Sequence, residues 1–161
     1  MGSFFDELNS HHIDFIQNQN MFFVGTAPSQ EGEINVSPKG YDTIKILDSN
    51  SLIYLDYNGS GNETAIHINQ NEKITVMWCS FEKKPLILRV YGRGVVIGKE
   101  SEDFKLLLSK HFPTYDLRIV RQLFLINIKS VQSSCGWGVP FMEYVKDRNQ
   151  LDDLSKAKYQ V

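Results

Sequence analysis

The chain has 161 residues, about the length of one domain, and its 42% hydrophobic and 22% charged residues are typical of a folded globular protein. A net charge of -2 excludes the basic surplus of a phosphate-backbone binder, so we expect no nucleic-acid partner. The sequence shows no apolar run near the roughly 20 residues that span a bilayer and no signal-peptide pattern at its start. We therefore expect a cytoplasmic protein with no membrane partner.

The N-terminal part of the chain predicts one helix and two strands. Residues 4–18 have the apolar spacing of a helix with Ser3 as its N-cap, within an N-terminal helical segment over residues 1–20. The β-rich runs 21–26 and 33–38 flank a turn at residues 29–32, so we expect them to pair antiparallel.

The middle of the chain predicts three more strands and a short helix. Runs 51–57, 73–81 and 86–97 are rich in Ile, Val, Tyr and Thr. Between the first two, the glycine loop at residues 59–64 leads into a short helix that Ser60 or Asn62 would cap.

The last third predicts a helix over residues 101–111, a sixth strand over residues 122–132 with both faces partly covered, and an amphipathic helix over residues 142–157. The C-terminal helical segment as a whole spans residues 141–161. Six strands with few crossovers predict a closed or nearly closed antiparallel barrel, because closure removes exposed edges. The expected fold is mainly β with flanking helices, in a single domain over residues 1–161.

Neither cysteines nor histidines predict a metal site. Cys79 and Cys135 are too few for a disulfide framework or a four-cysteine zinc site. The adjacent His11 and His12 would point about 100° apart on a helix, so we expect them on its solvated surface. We expect no bound metal.

Three segments carry candidate chemistry. The loop at residues 59–64 would offer free backbone N–H groups and a positive helix end to a phosphate, or would only be a strand-to-helix turn. Residues 35–40 end a strand at a proline, which must lie at a sheet edge, followed by a lysine; exposed backbone groups beside this lysine would suit a polar ring edge or a phosphate, or the segment is only an ordinary turn. Trp137, held between glycines in residues 135–140, would either face a ligand or plug the barrel.

Together with segments 22–27, 54–57 and 88–92, these three segments resemble the pyridoxamine 5'-phosphate oxidase-like family of flavin-binding split barrels. The resemblance covers most of the chain and depends on order and spacing. It implies a six-stranded split barrel and a homodimer with FMN in a groove at the subunit interface, where half of each pocket comes from the partner. Residues 35–40 would run along the flavin ring and ribityl chain, with Lys39 as a flavin-contacting lysine.

The resemblance implies a set of cofactor-binding residues: Asn35, Val36, Ser37, Pro38, Lys39, Asp56, Ser60, Asn62, Glu63, Thr64, Arg89 and Trp137. The chain departs from the family pattern at its phosphate segment, where Asn62 and Thr64 occupy the Ser and Lys positions. The lost cation would leave Ser60, Asn62, Thr64 and the helix N-terminus, with Lys39 or Arg89, to hold the phosphate.

A second departure concerns the substrate. The Arg- and His-bearing C-terminal segment of authentic pyridoxamine-phosphate oxidases has no counterpart after Tyr144, so the chain resembles the branch whose substrates are commonly unassigned. We expect an FMN-dependent oxidoreductase of a small-molecule substrate, with hydride from NAD(P)H and no assigned catalytic residue. Glu63 and His67 are expected to form only a surface hydrogen bond. The alternative is a non-catalytic split-barrel module that binds or senses flavin, haem or another planar ligand.

Overall fold

Eight strands form one antiparallel sheet in the computed structural model, which describes residues 2–160. In chain order they are β1 (Ser3–Phe5), β2 (Phe22–Thr26), β3 (Asn35–Lys39), β4 (Ile44–Asp48), β5 (Ser51–Tyr57), β6 (Lys73–Cys79), β7 (Ile87–Gly98) and β8 (Val120–Ser134). The sheet order is β3-β2-β6-β7-β8-β5-β4, and β1 pairs with β8 outside this path. β3 and β4 lie at the two ends of this path and do not pair with each other. The barrel is therefore split, not closed.

Four helices flank the sheet: α1 (Ser10–Gln17), α2 (Glu63–Asn71), α3 (Glu102–His111) and α4 (Gln150–Tyr159). α1 begins at a capping box in which the Asn9 side chain accepts from the His12 backbone N–H, at 3.0 Å, and His12 Nδ1 accepts from the Asn9 backbone N–H. α3 begins at Ser101, whose hydroxyl accepts from the Asp103 amide. Among residues 2–160, no helix combines the length and apolar character needed to cross a membrane.

Two apolar clusters cover the two faces of the sheet. Alternate residues of β5 take part in both, because successive strand side chains point to opposite faces: Tyr54 belongs to the first cluster and Leu55 to the second. In β8, Phe124 joins the first cluster and Leu123 the second, so the predicted covering of both faces is confirmed. The first cluster fills the barrel, while the second packs against α3 and α4.

The predicted N-terminal helix is present as α1, but its predicted start and its predicted cap at Ser3 were wrong. Residues 3–5 form a strand on the C-terminal end of β8, with Phe4 opposite Gln132, and the helix starts at Ser10 with Asn9 as its N-cap in place of Ser3. The long β8 extends beyond β5 and leaves an edge open there, so a tertiary pairing overrides the local helical spacing. His12 is 5% exposed, contrary to the predicted solvated surface.

The strand count differs by two because β1 and β4 were not predicted as strands. The C-terminal helix also begins later than predicted: residues 141–149 have no regular structure and α4 starts at Gln150. This irregular segment is fixed to the barrel by the Met142 amide, which donates to the Phe81 carbonyl at 3.2 Å, and by the Tyr41 hydroxyl, which donates to the Arg148 carbonyl. We call residues 141–149 the strap. By contrast, the predicted hairpin is confirmed, since β2 and β3 pair antiparallel.

Candidate functional site

A polar cleft of about 500 Å³ opens on the split side of the barrel. One wall is β3 and the turn after it, and the other is the C-terminal end of β5 with the loop that leads into α2. Arg121 of β8 and Leu151 of α4 complete the lining. β3 and β5 lie far apart in strand order, yet side chains from the two strands touch across the cleft, which shows how strongly the sheet curls.

The carboxylate of Asp56 lies at the centre of the cleft's charged groups. Its Oδ1 is 3.3 Å from Lys39 Nζ. Its Oδ2 accepts from Arg121 Nε at 3.0 Å, from Arg121 Nη2 at 2.8 Å and from Gln122 Nε2 at 3.0 Å. The Asp56 side chain is only 7% exposed, whereas the Lys39 and Arg121 side chains are 28% and 22% exposed. One buried carboxylate therefore holds two cations that still reach the solvent of the cleft.

A β-bulge brings Arg121 into this cleft. In the β5–β8 ladder Asp56 lies opposite Gln122 and Tyr57 lies opposite Val120, so Arg121 is an extra residue in β8. A bulge redirects the side chain at an inserted position. Here it aims a guanidinium at Asp56 from the strand that also supplies Gln122.

The first turn of α2 faces the same cleft. Residues 59–64 line the cleft and α2 begins at Glu63, with Asn62 at the N-cap. Of the two predicted caps, Ser60 and Asn62, the structure has Asn62 at the N-cap, but its side chain does not bond to the helix, because its Oδ1 accepts from Gln122 Nε2 at 2.7 Å. The free N–H groups and positive end of a helix's first turn attract anions. Glu63 already places one carboxylate at that turn.

Polar side chains of β3 connect the strand to α2. Asn35 Nδ2 donates to Thr64 Oγ1 at 3.1 Å, and Ser37 Oγ donates to Asn35 Oδ1 at 3.1 Å. Pro38 lies on β3, which is an edge strand of the sheet, so its predicted edge position is confirmed. Asn35, Ser37 and Lys39 thus form a polar row that ends at the Asp56 cluster.

Most of the predicted cofactor-binding residues meet in this cleft. They are Asn35, Ser37, Pro38, Lys39, Asp56, Ser60, Asn62, Glu63 and Thr64. Val36 does not line it and is 64% exposed. Arg89 lies on β7, where its Nη1 donates to Ser134 Oγ at 3.1 Å, and Trp137 is 83% exposed in the loop after β8. Nine of the twelve predicted residues therefore line the cleft, and Val36, Arg89 and Trp137 lie outside it.

The predicted surface contact between Glu63 and His67 is absent from the described residues. His67 is 6% exposed, and its Nδ1 lies 3.0 Å from Thr26 Oγ1. His67 therefore packs α2 onto β2, while Glu63 stays at the exposed start of the helix.

Tyrosines beside and beneath the cleft stay neutral. Burial, followed by the nearby Tyr115, raises the pKa of Tyr57, and burial raises the pKa of Tyr115 to about 12. Burial, then the charge of Asp56, raises the pKa of Tyr54 well above its ordinary value. Among the described residues the buried Tyr54 hydroxyl has no hydrogen-bond partner. The fixed charges of the cleft therefore come from Asp56, Lys39, Arg121 and Glu63.

Metal-ligating side chains do not cluster in the described part of the chain. In residues 2–160 there is no group of three or more His, Cys, Asp or Glu side chains that could hold a metal ion. Cys79 and Cys135 are both free thiols.

An antiparallel split barrel with a polar cleft on its open side defines the structural class of this protein. The sequence pattern described as pyridoxamine 5'-phosphate oxidase matches residues 8–135. A curated relative, the pyridoxamine 5'-phosphate oxidase family protein ustO of Aspergillus flavus, is 35% identical over 149 residues. The chain belongs to the pyridoxamine 5'-phosphate oxidase family. The alignment covers 91% of this chain and 59% of the relative, so the chain spans less than two thirds of that protein's length.

Solved structures support the fold. HupZ of Group A Streptococcus matches with a TM-score of 0.62 and 21% identity, over 77% of this chain and 91% of HupZ. HutZ of Vibrio cholerae, described as a heme storage protein, matches with a TM-score of 0.54 and 13% identity, over 77% of this chain and 93% of HutZ. At these identities the likeness extends to the fold alone.

Proposed function

We propose that this protein binds FMN in the polar cleft and acts as an FMN-dependent oxidoreductase. The observation that carries the proposal is the pair of cations, Lys39 and Arg121, held by the buried Asp56 beside the first turn of α2. The cleft volume of about 500 Å³ lies within the range of small-molecule and cofactor sites. The residues present therefore fit a ligand with an anionic end and a polar chain.

The phosphate would be held by the N–H groups at the start of α2 together with Arg121. Asp56 takes two N–H donors of Arg121, and the remaining guanidinium donors are free to bond a phosphate oxygen. Arg121 thus fills the role of the cation that is missing at Thr64, a role that the sequence analysis gave to Lys39 or Arg89. An arginine fixed by a carboxylate presents a planar fork that suits phosphate.

The remaining cleft residues would orient the cofactor. The polar row of Asn35, Ser37 and Lys39 along β3 would bond the ribityl chain and the polar edge of the ring. When bound, FMN supplies hydride transfer between NAD(P)H and a small acceptor. The protein contributes binding, orientation and a charged environment, and we assign no acid or base to a side chain.

The positions of Arg89 and Trp137 support a homodimer in this proposal. Both lie away from the cleft of their own chain, on β7 and on the loop after β8. In a two-fold dimer one patch of each subunit meets a different patch of the other, and the contact occurs twice. Arg89 and Trp137 would then complete the cleft of the partner, and the exposed Trp137 ring would become buried.

Haem is the competing ligand, because HutZ shares this fold and is described as a heme storage protein. Two cations in the cleft would suit the haem propionates. However, the described residues that line the cleft include no His, Cys or Met to ligate the iron, and burial raises the pKa of the two tyrosines there, Tyr41 and Tyr57, which disfavours the phenolate that would bind it. The donor set therefore favours FMN.

The first test is an FMN titration followed by flavin fluorescence. We expect saturable binding, and we expect NADPH to bleach the flavin absorbance under anaerobic conditions. Arg121→Ala should weaken FMN binding by about 10- to 150-fold, the equivalent of losing one charge-assisted hydrogen bond. Arg118→Ala is the matched control, because Arg118 pairs with the exposed Asp116 outside the cleft. Failure to bind excess FMN would refute the proposal; binding without reduction would leave a flavin-binding module.

The second test is complementation between two variants. Lys39→Ala damages the cleft and Arg89→Ala damages the patch offered to the partner, so each homodimer should bind FMN weakly. A mixed dimer contains one site with both defects and one with neither, so mixed dimers isolated after co-expression should bind FMN tightly at about half of their sites. No recovery in isolated mixed dimers would refute the shared site.

A further inference from the structure

A second cleft of about 500 Å³ lies on the other side of the turn that follows β3. It shares Pro38, Lys39, Gly40 and Tyr41 with the first cleft, so the two cavities are separated by a single wall. Its opposite wall is the strap. The strap residues lie outside the region matched by the family pattern, which ends at residue 135.

Most of the surface exposed inside the second cleft is apolar, and aromatic rings and thioethers contribute much of it. The side chains that give it this character are Met21, Pro38, Tyr41, Phe81, Met142 and Tyr144. Methionine adapts to irregular shapes and makes favourable contacts with aromatic rings. Aromatic side chains stack on flat ligands. The walls therefore match a flat aromatic molecule.

The charges around the second cleft balance. Lys39, Lys146 and Arg148 contribute three cations, and Glu82, Glu143 and Asp147 contribute three carboxylates. Such a lining gives no net attraction to an anion or a cation, and burying a ligand charge against apolar walls carries a desolvation cost. The preferred ligand is therefore uncharged.

We propose that the second cleft binds the organic substrate of the proposed flavin site, and that this substrate is an uncharged aromatic or quinone-like acceptor. The proposal rests on FMN binding in the first cleft, because the shared wall at Lys39 and Gly40 would bring the two molecules together. In a complete cycle the nicotinamide loses a hydride. Because the wall of residues 38–41 keeps the two molecules out of contact, no hydride passes between them: the quinone gains two electrons across the wall and two protons from solvent, which gives the hydroquinone, and the hydrogen lost by the nicotinamide returns to solvent as one proton.

The test uses the methionine methyl groups as local probes. The chain has four methionines, of which Met21 and Met142 line the second cleft and Met77 lies on β6 outside it. In protein labelled with carbon-13 at the methionine methyls, menadione should shift the Met21 and Met142 signals saturably and leave Met77 in place. The titration is run with and without bound FMN, and anaerobically reduced protein is then reoxidised with menadione.

Two strap variants give the matched comparison. Met142 is 60% exposed and lines the cleft, so Met142→Glu should fold normally and weaken menadione binding by at least about tenfold through the added charge. Val145 is 82% exposed on the same segment and does not line the cleft, so Val145→Glu should bind as the unmodified protein does. FMN affinity should be the same in both variants, because neither residue lines the first cleft.

The outcomes separate the two proposals. FMN binding without Met21 and Met142 shifts refutes the second-cleft proposal and leaves the flavin site standing. Menadione binding with equal affinity to both variants also refutes it. If menadione shifts Met21 and Met142 but does not reoxidise the reduced flavin, the cleft is not a substrate site. If FMN itself does not bind, the proposed function fails regardless of the methionine signals.

Discussion

The two clefts have the same volume, about 500 Å³, and share one wall, but they differ in polarity and in the elements that build them. The first is polar and is built from two strands and the start of α2. The second is mostly apolar, and much of its lining comes from the strap, which has no regular structure. The first cleft is held by side-chain ion pairs, whereas the strap is held by hydrogen bonds to its backbone carbonyl and amide groups.

This difference indicates how amino-acid substitutions would affect ligand binding in each cleft. A cleft organised by one buried carboxylate depends on that single residue, because removing it frees both cations at once. A cleft covered by a segment that is fixed through its backbone tolerates changes of its side chains. We therefore expect a fixed ligand specificity in the first cleft and a specificity that side-chain substitutions readily alter in the second.

The largest effect is expected at Asp56. Asp56→Ala removes the common partner of Lys39 and Arg121 and should lower the free energy of unfolding by about 2–3 kcal/mol, somewhat less than for a fully buried pair because both cations reach solvent. FMN binding should be lost, while the menadione shifts of Met21 and Met142 should persist. Urea unfolding gives the first quantity. Asp6→Ala, at an exposed carboxylate outside the cleft, should leave stability unchanged. Equal stability of the two variants would show that Asp56 does not organise the cleft.

A smaller effect is expected at Lys39, on the shared wall. Lys39→Ala leaves Arg121 and α2 in place, so FMN binding should weaken by about tenfold, which corresponds to one partly exposed charge-assisted hydrogen bond. Lys105→Ala, on the exposed face of α3, is the control and should have no effect. An unchanged FMN affinity in Lys39→Ala would place the flavin elsewhere.

A third prediction concerns acid and the second cleft. Burial, then the charge of His11, lowers the pKa of His12 below its model-peptide value of 6.5. The unfolded chain therefore takes up a proton at His12 before the folded chain does, and stability should fall as the pH drops below about 6.5. α1 should weaken first, because protonated His12 cannot accept from Asn9, and Asn18 at the end of this helix lines the second cleft.

The measurement is hydrogen exchange of the α1 amides at about pH 7.5 and about pH 5. His12→Gln keeps a capping-box side chain that does not titrate, so its α1 should lose less protection on acidification. His111 also has a lowered pKa and remains in both proteins, which makes the difference between them specific to His12. Equal loss of protection in the variant would contradict the prediction.

The smallest effect is expected beneath the first cleft. The buried Tyr54 hydroxyl faces Thr64 but makes no hydrogen bond of normal geometry among the described residues, and its ring stacks on Phe124 with centroids 4.6 Å apart. Tyr54→Phe keeps the stack and removes an unpaired polar group, so thermal unfolding should show equal or slightly higher stability. Tyr57→Phe, which loses a contact to the Tyr115 hydroxyl, should be less stable than Tyr54→Phe. The opposite order would mean that the Tyr54 hydroxyl is bonded.

The sequence predicted the parts that are encoded locally. The β2–β3 hairpin is marked by its turn, and the helix predicted over residues 101–111 is α3, which the structure begins after the N-cap Ser101. Many residues of the first cleft were also predicted, because they lie in contiguous segments, the end of β3 and the loop before α2, whose resemblance to the family depends on spacing.

Other parts depend on distant contacts that no local pattern contains. Arg121 was missed because only the β-bulge opposite Asp56 and Tyr57 turns it into the cleft, and a bulge depends on the register between two strands. Residues 3–5 were misassigned because the open edge of β8 determines their conformation. The strap was predicted as helix because its apolar spacing does not reveal the contacts with Phe81 and Tyr41.

Glu63 has one more consequence, for the lifetime of a bound cofactor. It places a carboxylate in the first turn of α2, close to Gly61, at the helix end where the proposed phosphate would lie. Two negative groups would then share one positive helix end, and Glu63 would have to turn into solvent when the phosphate arrives. We therefore expect FMN to dissociate readily and its affinity to fall as ionic strength rises. FMN would then act as a co-substrate that binds and leaves in each cycle, not as a permanently bound cofactor.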